Sequence, residues 1–148
     1  MKCIFYNSRF AKSLLKKDFS AVMICGFVFF KEASVERSEI EHERIHQQQY
    51  LSFVWVGLFL VSIVVLFLLA VGIKNWWMLL FALFPFLLFY LYYIVEYLFR
   101  LAKYNDKFKA YRMISLEQEA YDLQNEYKKT FLQKRRWKPF SFLKYITR

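Results

Sequence analysis

Cysteine is nearly absent from this chain. Cys3 and Cys25 fit no disulfide framework and no metal-ligand spacing, which excludes a disulfide-stapled scaffold and a cysteine-based metal cluster. Histidine is as scarce: two occur among 148 residues, so no three-histidine site can form. Glycine and proline number three and two, and neither interrupts Ser38 to Ser52. There is no internal repeat. No secretory signal is expected at the start, where charges recur before any sustained apolar core. The most telling absence is of charge. Leu51 to Gly72 carries no charged side chain, and Trp76 to Phe99 carries one, Glu96.

Each of these runs exceeds the roughly 18 apolar residues that mark a membrane span, and about 22 helical residues rise about 33 Å. A soluble protein would need far more chain to cover two helices that are apolar all round. The expected fold class is therefore mostly α and integral to a membrane: a two-helix transmembrane hairpin with juxtamembrane cytoplasmic helices and a short N-terminal β element. The regions expected are a β-like segment at 1–33, a helix at 34–50 running into a first span at 51–72, an external turn at 73–75, a second span at 76–99, a cytoplasmic helical region at 100–133 and a basic-aromatic tail at 134–148.

Charge sets the orientation. Eight lysines and arginines precede residue 51, thirteen follow residue 99, and the connection between the runs holds only Lys74. The positive-inside rule then places both termini in the cytoplasm of a bacterial-type inner membrane. Trp76 and Trp77 suit the outer interface, and Tyr90, Tyr92, Tyr93 and Tyr97 the inner half of the second span. The net charge of +10 reads as attraction to anionic cytoplasmic lipid. No nucleic-acid motif accompanies it. Glu96 lies four residues before Arg100, the spacing of a paired charge at the inner boundary.

What is present is concentrated in His42-Glu43-Arg44-Ile45-His46, an HExxH pattern that contains both histidines. Positions i and i+4 share a helix face, so two imidazoles can hold one Zn2+, and Glu43 between them can act as general base. Ser34 or Ser38 is expected to cap this helix, with Ser38-x-x-Glu41 as a capping box. His46 then lies about 7 Å before the first apolar run. The third ligand must be a carboxylate, and Glu96, Asp106, Glu117, Glu119, Asp122 and Glu126 are candidates. Glu117 and Glu119 open a second expected helix, Leu116 to Gln133, capped by Ser115-x-x-Gln118. Two residues apart, only one of them can face the metal.

The chain resembles zinc-dependent membrane endopeptidases of the HtpX-like and CAAX-prenyl-protease type, which carry HExxH, then hydrophobic spans, then a Glu-x-x-Ala-Asp segment. It also resembles the peptidase domain of beta-lactam sensor-transducers, with its Glu-x-Glu-Ala segment. Here Ser115-Leu-Glu117-Gln-Glu119-Ala120-Tyr121-Asp122 follows the two apolar runs, with Tyr121 where those peptidases have aspartate. Matching Ala120 to the family alanine implies Glu117 as the metal ligand, with Glu119 second. By the same analogy Asp122 would brace a ligand histidine, Tyr111, Arg112 or Tyr121 would serve the oxyanion, and the strand beginning Gly26-Phe27-Val28 would align a membrane-proximal polypeptide substrate. Residues 21–30 read as one β-like stretch, and Gly26 within it as a bulge or a close approach. The activity implied is peptide hydrolysis. The other readings are a metal site that only clamps the spans, and a metal-free membrane scaffold.

Overall fold

In the computed structural model of the chain, residues 3–15, 19–130, 132 and 135–147 are described, and the remaining positions, including Gln133, Lys134 and Arg148 of the expected regions, lie outside that set. The fold is mostly helical, with one small sheet. In order come β1 (Ile4–Phe5), α1 (Arg9–Leu14), β2 (Ala21–Ile24), β3 (Phe27–Phe30), α2 (Arg37–Ala70), a 3-10 stretch (Trp76–Leu83), α3 (Phe84–Tyr104), α4 (Lys107–Arg112) and α5 (Ser115–Leu123). Short 3-10 turns at Glu126–Lys128 and Ser141–Tyr145 follow.

Two helical stretches, Arg37–Ala70 and Trp76–Tyr104, are long and apolar enough to cross a membrane. Their outward faces stay bare: Trp55, Phe59, Leu66, Phe67, Val95 and Phe99 are each 64–69% exposed. The helices pack antiparallel and close at Gly57, where an added Cβ would lie 2.7 Å from the Pro85 Cα. The second stretch is not one α-helix, as the sequence suggested. Pro85 lacks a donor and has its φ fixed, which suits the first turn of a helix, so α3 begins beside it and the preceding residues wind as 3-10.

Both expected capping boxes are absent. The backbone of Glu36 starts α2 with no side-chain cap, and Ser38 is buried inside the helix; the Arg37 guanidinium over the Tyr127 ring, at 4.8 Å, anchors the first turn instead. Ser115 likewise opens α5 without capping it. The Glu96 carboxylate accepts from the Ser115 backbone N–H at 2.9 Å and from its hydroxyl at 2.6 Å. Glu96 also pairs with Arg100, at 3.2 Å, as its spacing implied. One buried carboxylate therefore ties α3 to the start of α5.

Residues 21–30 form a hairpin and not a single stretch. Cys25 (φ 50°) and Gly26 (φ 81°) make its two-residue turn, and positive φ at both central positions gives a backbone twist that matches the flanking strands. The sheet order is β1-β3-β2, with β3 parallel to β1 and antiparallel to β2. Its turn is pinned to the helices. The Cys25 N–H donates to the Tyr90 hydroxyl and Gln47 Nε2 donates to the Gly26 carbonyl, both at 2.6 Å.

The second expected helix stops at Leu123, ten residues short, because the chain after it folds back. Arg135 reaches Asp122 and Glu126, and Phe142 joins the core formed by Tyr50, Phe53, Val54, Phe89, Ile114 and Leu116. Arg100 donates to the carbonyls of Tyr145 and Ile146 at 3.2 and 2.9 Å, so residues 135–147 are docked on α5 and α3.

Candidate metal centre

His42 and His46 sit one turn apart on α2, and their Nε2 atoms approach to 3.1 Å. Glu117, in the first turn of α5, meets both: Oε2 lies 3.3 Å from His42 Nε2 and Oε1 3.2 Å from His46 Nε2. Donors about 2.0–2.1 Å from one tetrahedral ion stand about 3.3 Å apart, close to the separations in this triangle of groups, with each imidazole facing its own oxygen of the carboxylate. The group could hold a metal ion. His42, His46 and Glu117 are 9%, 6% and 2% exposed, and Glu117 Oε2 is buried without a hydrogen-bond donor. An orphaned carboxylate oxygen facing the His42 Nε2, with the His46 Nε2 beside the other oxygen, is what a cation would satisfy.

The outer nitrogens define the histidine tautomers. Gln49 Nε2 donates to the Leu116 carbonyl at 3.1 Å and to the Glu119 carboxylate at 2.8 Å. Its Oε1 is thereby turned to His46 Nδ1, 2.8 Å away. That acceptor makes Nδ1 the protonated nitrogen and leaves the Nε2 lone pair pointing into the triangle. Gln124 Oε1 does the same for His42 Nδ1 at 3.0 Å. The Tyr93 hydroxyl donates to Glu117 Oε1 at 2.8 Å and fixes the carboxylate.

The electrostatics agree. Burial would lower the His46 pKa, but the Glu117 carboxylate, by charge and hydrogen bond, together with Glu43 pushes it up to about 9. Burial would raise Glu117, yet His46 and His42 hold it well below the usual carboxylate range. Glu117 thus favours the protonated form of His46, and a ligating imidazole must shed that proton. Glu43, next to His42 but not part of the triangle, has its pKa raised by burial, partly offset by both histidines.

Glu43 lies where two cavities meet. One, of about 260 Å³, is lined by Val22, Met23, Phe89 and Tyr93 and reaches His46 and Glu117. The other, of about 190 Å³, is lined by Ser20, Phe108, Tyr121 and Gln124 and reaches His42. Ala21 of β2 and Tyr111 border both. A carboxylate biased toward taking a proton therefore faces open space on each side of the triad.

Of the residues singled out from sequence, His42, Glu43, His46 and Glu117 are brought together. Glu119 is turned away and is bound by Gln49 and Ser141. Asp122 braces no histidine: it pairs with Arg135 and accepts from Tyr145, because the glutamines already fill that role. Tyr111 lines both cavities, and the Tyr121 ring lies 4.7 Å from that of His42. Arg112 stacks on Tyr121 at 5.2 Å, outside the two cavities beside Glu43. Gly26, Phe27 and Val28 do not offer a free strand edge, since β3 is paired on both sides; the open edge beside Glu43 belongs to β2.

Gln49, Gln124 and Tyr93 were not singled out for the site from sequence. The first had a signal: it lies three residues after His46, on the same helix face. No protein-family model, curated protein or solved structure matches the chain.

Proposed function

We propose that this chain is an integral-membrane zinc peptidase that hydrolyses membrane-proximal polypeptides at the cytoplasmic face of a bacterial-type inner membrane, with both termini cytoplasmic. The observation that carries the reading is the position of Glu43, a carboxylate of raised pKa beside the His42–His46–Glu117 group and facing the cavities on either side of it. A site that only clamps helices has no use for such a base.

His42, His46 and Glu117 would hold zinc, a metal that two imidazoles and a carboxylate suit when one position stays open. When bound, zinc supplies Lewis acidity to the scissile carbonyl and acidity to the attacking water. Glu43 takes the proton of that water and passes it to the departing amine. Tyr111 and Tyr121, which line the cavities beside Glu43, would donate to the developing oxyanion; burial and the Glu117 charge push both pKa values up, so each keeps its proton to donate. The free edge of β2 would pair with an extended substrate and lay the scissile bond beside Glu43.

The deciding experiment compares wild type with Glu43→Gln, each co-reconstituted with membrane-anchored polypeptides, while bound zinc is counted. The reading expects both to hold zinc and only wild type to cleave. Equal cleavage by the two would remove the proposed mechanism, and zinc held by a wild type that cleaves nothing would assign the site to a structural clamp.

A further inference from the structure

We propose that the outward face of the three-stranded sheet is seated in the headgroup–acyl boundary of an anionic bilayer, as a lateral membrane contact beside the two apolar helices. The inference rests on the reading that those helices cross a bilayer.

The pairing register sorts the strands into two faces. Ile4, Ala21, Met23, Val28 and Phe30 share the inner one, where Val28 and Phe30 are fully buried and Met23 packs on the core. The other face carries Phe5, Val22, Ile24, Phe27 and Phe29. A sheet with one side in water shows polar residues there, and this one shows none. Phe5 stacks on Phe29 at 5.1 Å, and Phe10 of α1 meets Phe29 edge-on at 5.4 Å. Leu14 lies one turn beyond Phe10. Phe5, Phe10, Leu14 and Phe27 are 44–55% exposed, a contiguous apolar surface of the kind that marks an interaction site.

Three observations identify lipid as what covers it. The first is depth. The hairpin turn is held by Tyr90 and packs over Tyr50, the residue just before the apolar run begins at Leu51, so the turn end of the sheet lies level with the start of that run. The second is adjacency: Phe27 of the sheet face and Leu51 at the start of the apolar run line one groove of about 470 Å³, together with the polar side chains of Glu41, Arg44, Gln47 and Gln48. The third is charge, since Arg9 and Lys12 are exposed on α1 beside Phe10. An apolar face with a basic rim at this depth is the pattern of an in-plane interfacial element. The β2 edge of the same sheet, at Ala21, Val22 and Met23, borders the cavity that reaches the metal group.

The test is spin-label accessibility in the full chain, with Cys3 and Cys25 replaced by serine, reconstituted in phosphatidylcholine–phosphatidylglycerol vesicles. Labels go at Phe10→Cys and Phe27→Cys, with Val64→Cys as the mid-helix reference and Lys128→Cys as the aqueous one. The expected result is that the Phe10 and Phe27 labels collide with oxygen and lose collision with a water-soluble nickel chelate, as Val64 does and Lys128 does not. Nickel collision at Phe10 and Phe27 while Val64 stays shielded would overturn the proposal and leave the spans intact. Shielding of both labels from oxygen and nickel alike would also overturn it, in favour of a protein contact. Nickel collision at Val64 would refute the spans themselves, and the lateral contact with them.

Discussion

Gln49 holds His46 through its amide oxygen, at 2.8 Å, and its own amide nitrogen is held by Glu119, at 2.8 Å. Ser141, from the returning tail, donates to the far oxygen of Glu119. The orientation of one imidazole is thus set by a chain of polar groups drawn from α2, α5 and the last 3-10 turn. Because each link has its partner, the amide has one favourable orientation, and the histidine one tautomer.

Gln49→Leu should keep the helix and lose the acceptor at Nδ1. Zinc affinity is expected to fall about 10–100-fold, as when a partner of a ligand histidine is removed. Competition with a chelator measures it; unchanged affinity would mean that the amide is only core packing.

Glu117→Gln and Glu119→Gln should part company. The first removes a donor of the triangle and is expected to abolish stoichiometric zinc. The second leaves the triangle whole, and the protein should still bind one ion. Metal analysis of the two purified variants checks this, and the reverse outcome would reassign the third ligand.

Glu96→Ala strips the carboxylate from Arg100, which is 2% exposed, and from the start of α5. Removing one partner of a buried pair costs about 3–5 kcal/mol. The loss should appear as a lower unfolding midpoint in detergent, together with weaker zinc binding as Glu117 loses its position. The carbonyls of Tyr145 and Ile146 remain as acceptors for Arg100 and should hold the cost toward the lower figure.

Acid should release the tail. Hydrogen bonds from Arg135 and Tyr145 hold Asp122 below its ordinary range, and Lys129 with Arg135 holds Glu126 at about 2. Carboxyls depressed by folding contribute stability that is present above their unfolded pKa and is lost as pH falls through the folded value. Docking of residues 135–147 should therefore hold steady from neutrality down to the usual carboxylate range, and weaken from that range down to about pH 2. The emission of Trp137, with Trp55, Trp76 and Trp77 replaced by phenylalanine, follows it; Arg135→Gln should abolish the transition.

Gly57→Ala should separate the two long helices, since the new methyl would stand 2.7 Å from the Pro85 Cα. Overpacking of this kind costs about 1–3 kcal/mol. Thermal unfolding reads the loss directly.

How much of this was legible follows from where the interactions lie. His42, Glu43 and His46 could be read because a helix relates i and i+4 without outside help. The two long helices could be read because their composition alone sets them apart. Glu117 could not be separated from Glu119 by spacing, since which face of α5 meets α2 is decided by Glu96, Tyr93 and the tail. The capping boxes at Ser38 and Ser115 failed for a related reason. Both residues obey the local rule, but one is buried inside α2 and the other gives its donors to a carboxylate nineteen residues away in sequence. The hairpin was missed because Cys25-Gly26 lacks the usual Asn-Gly or Asp-Gly signal. Gln49 and Gln124 carry no charge and match no motif; helix spacing puts the first beside His46, but only the folded packing orients its amide and brings Gln124 to His42.

The separation of the ligands along the chain has a consequence for biosynthesis. His42 and His46 are made about 70 residues before Glu117, and Ser141 later still. While the ribosome is between these points, the growing polypeptide holds two imidazoles and Glu43 but lacks the carboxylate that completes the set. Under the proposed activity, hydrolytic competence would not precede translation of α5, and the order of synthesis would itself keep the nascent chain from acting on its neighbours, or on itself, at the translocon.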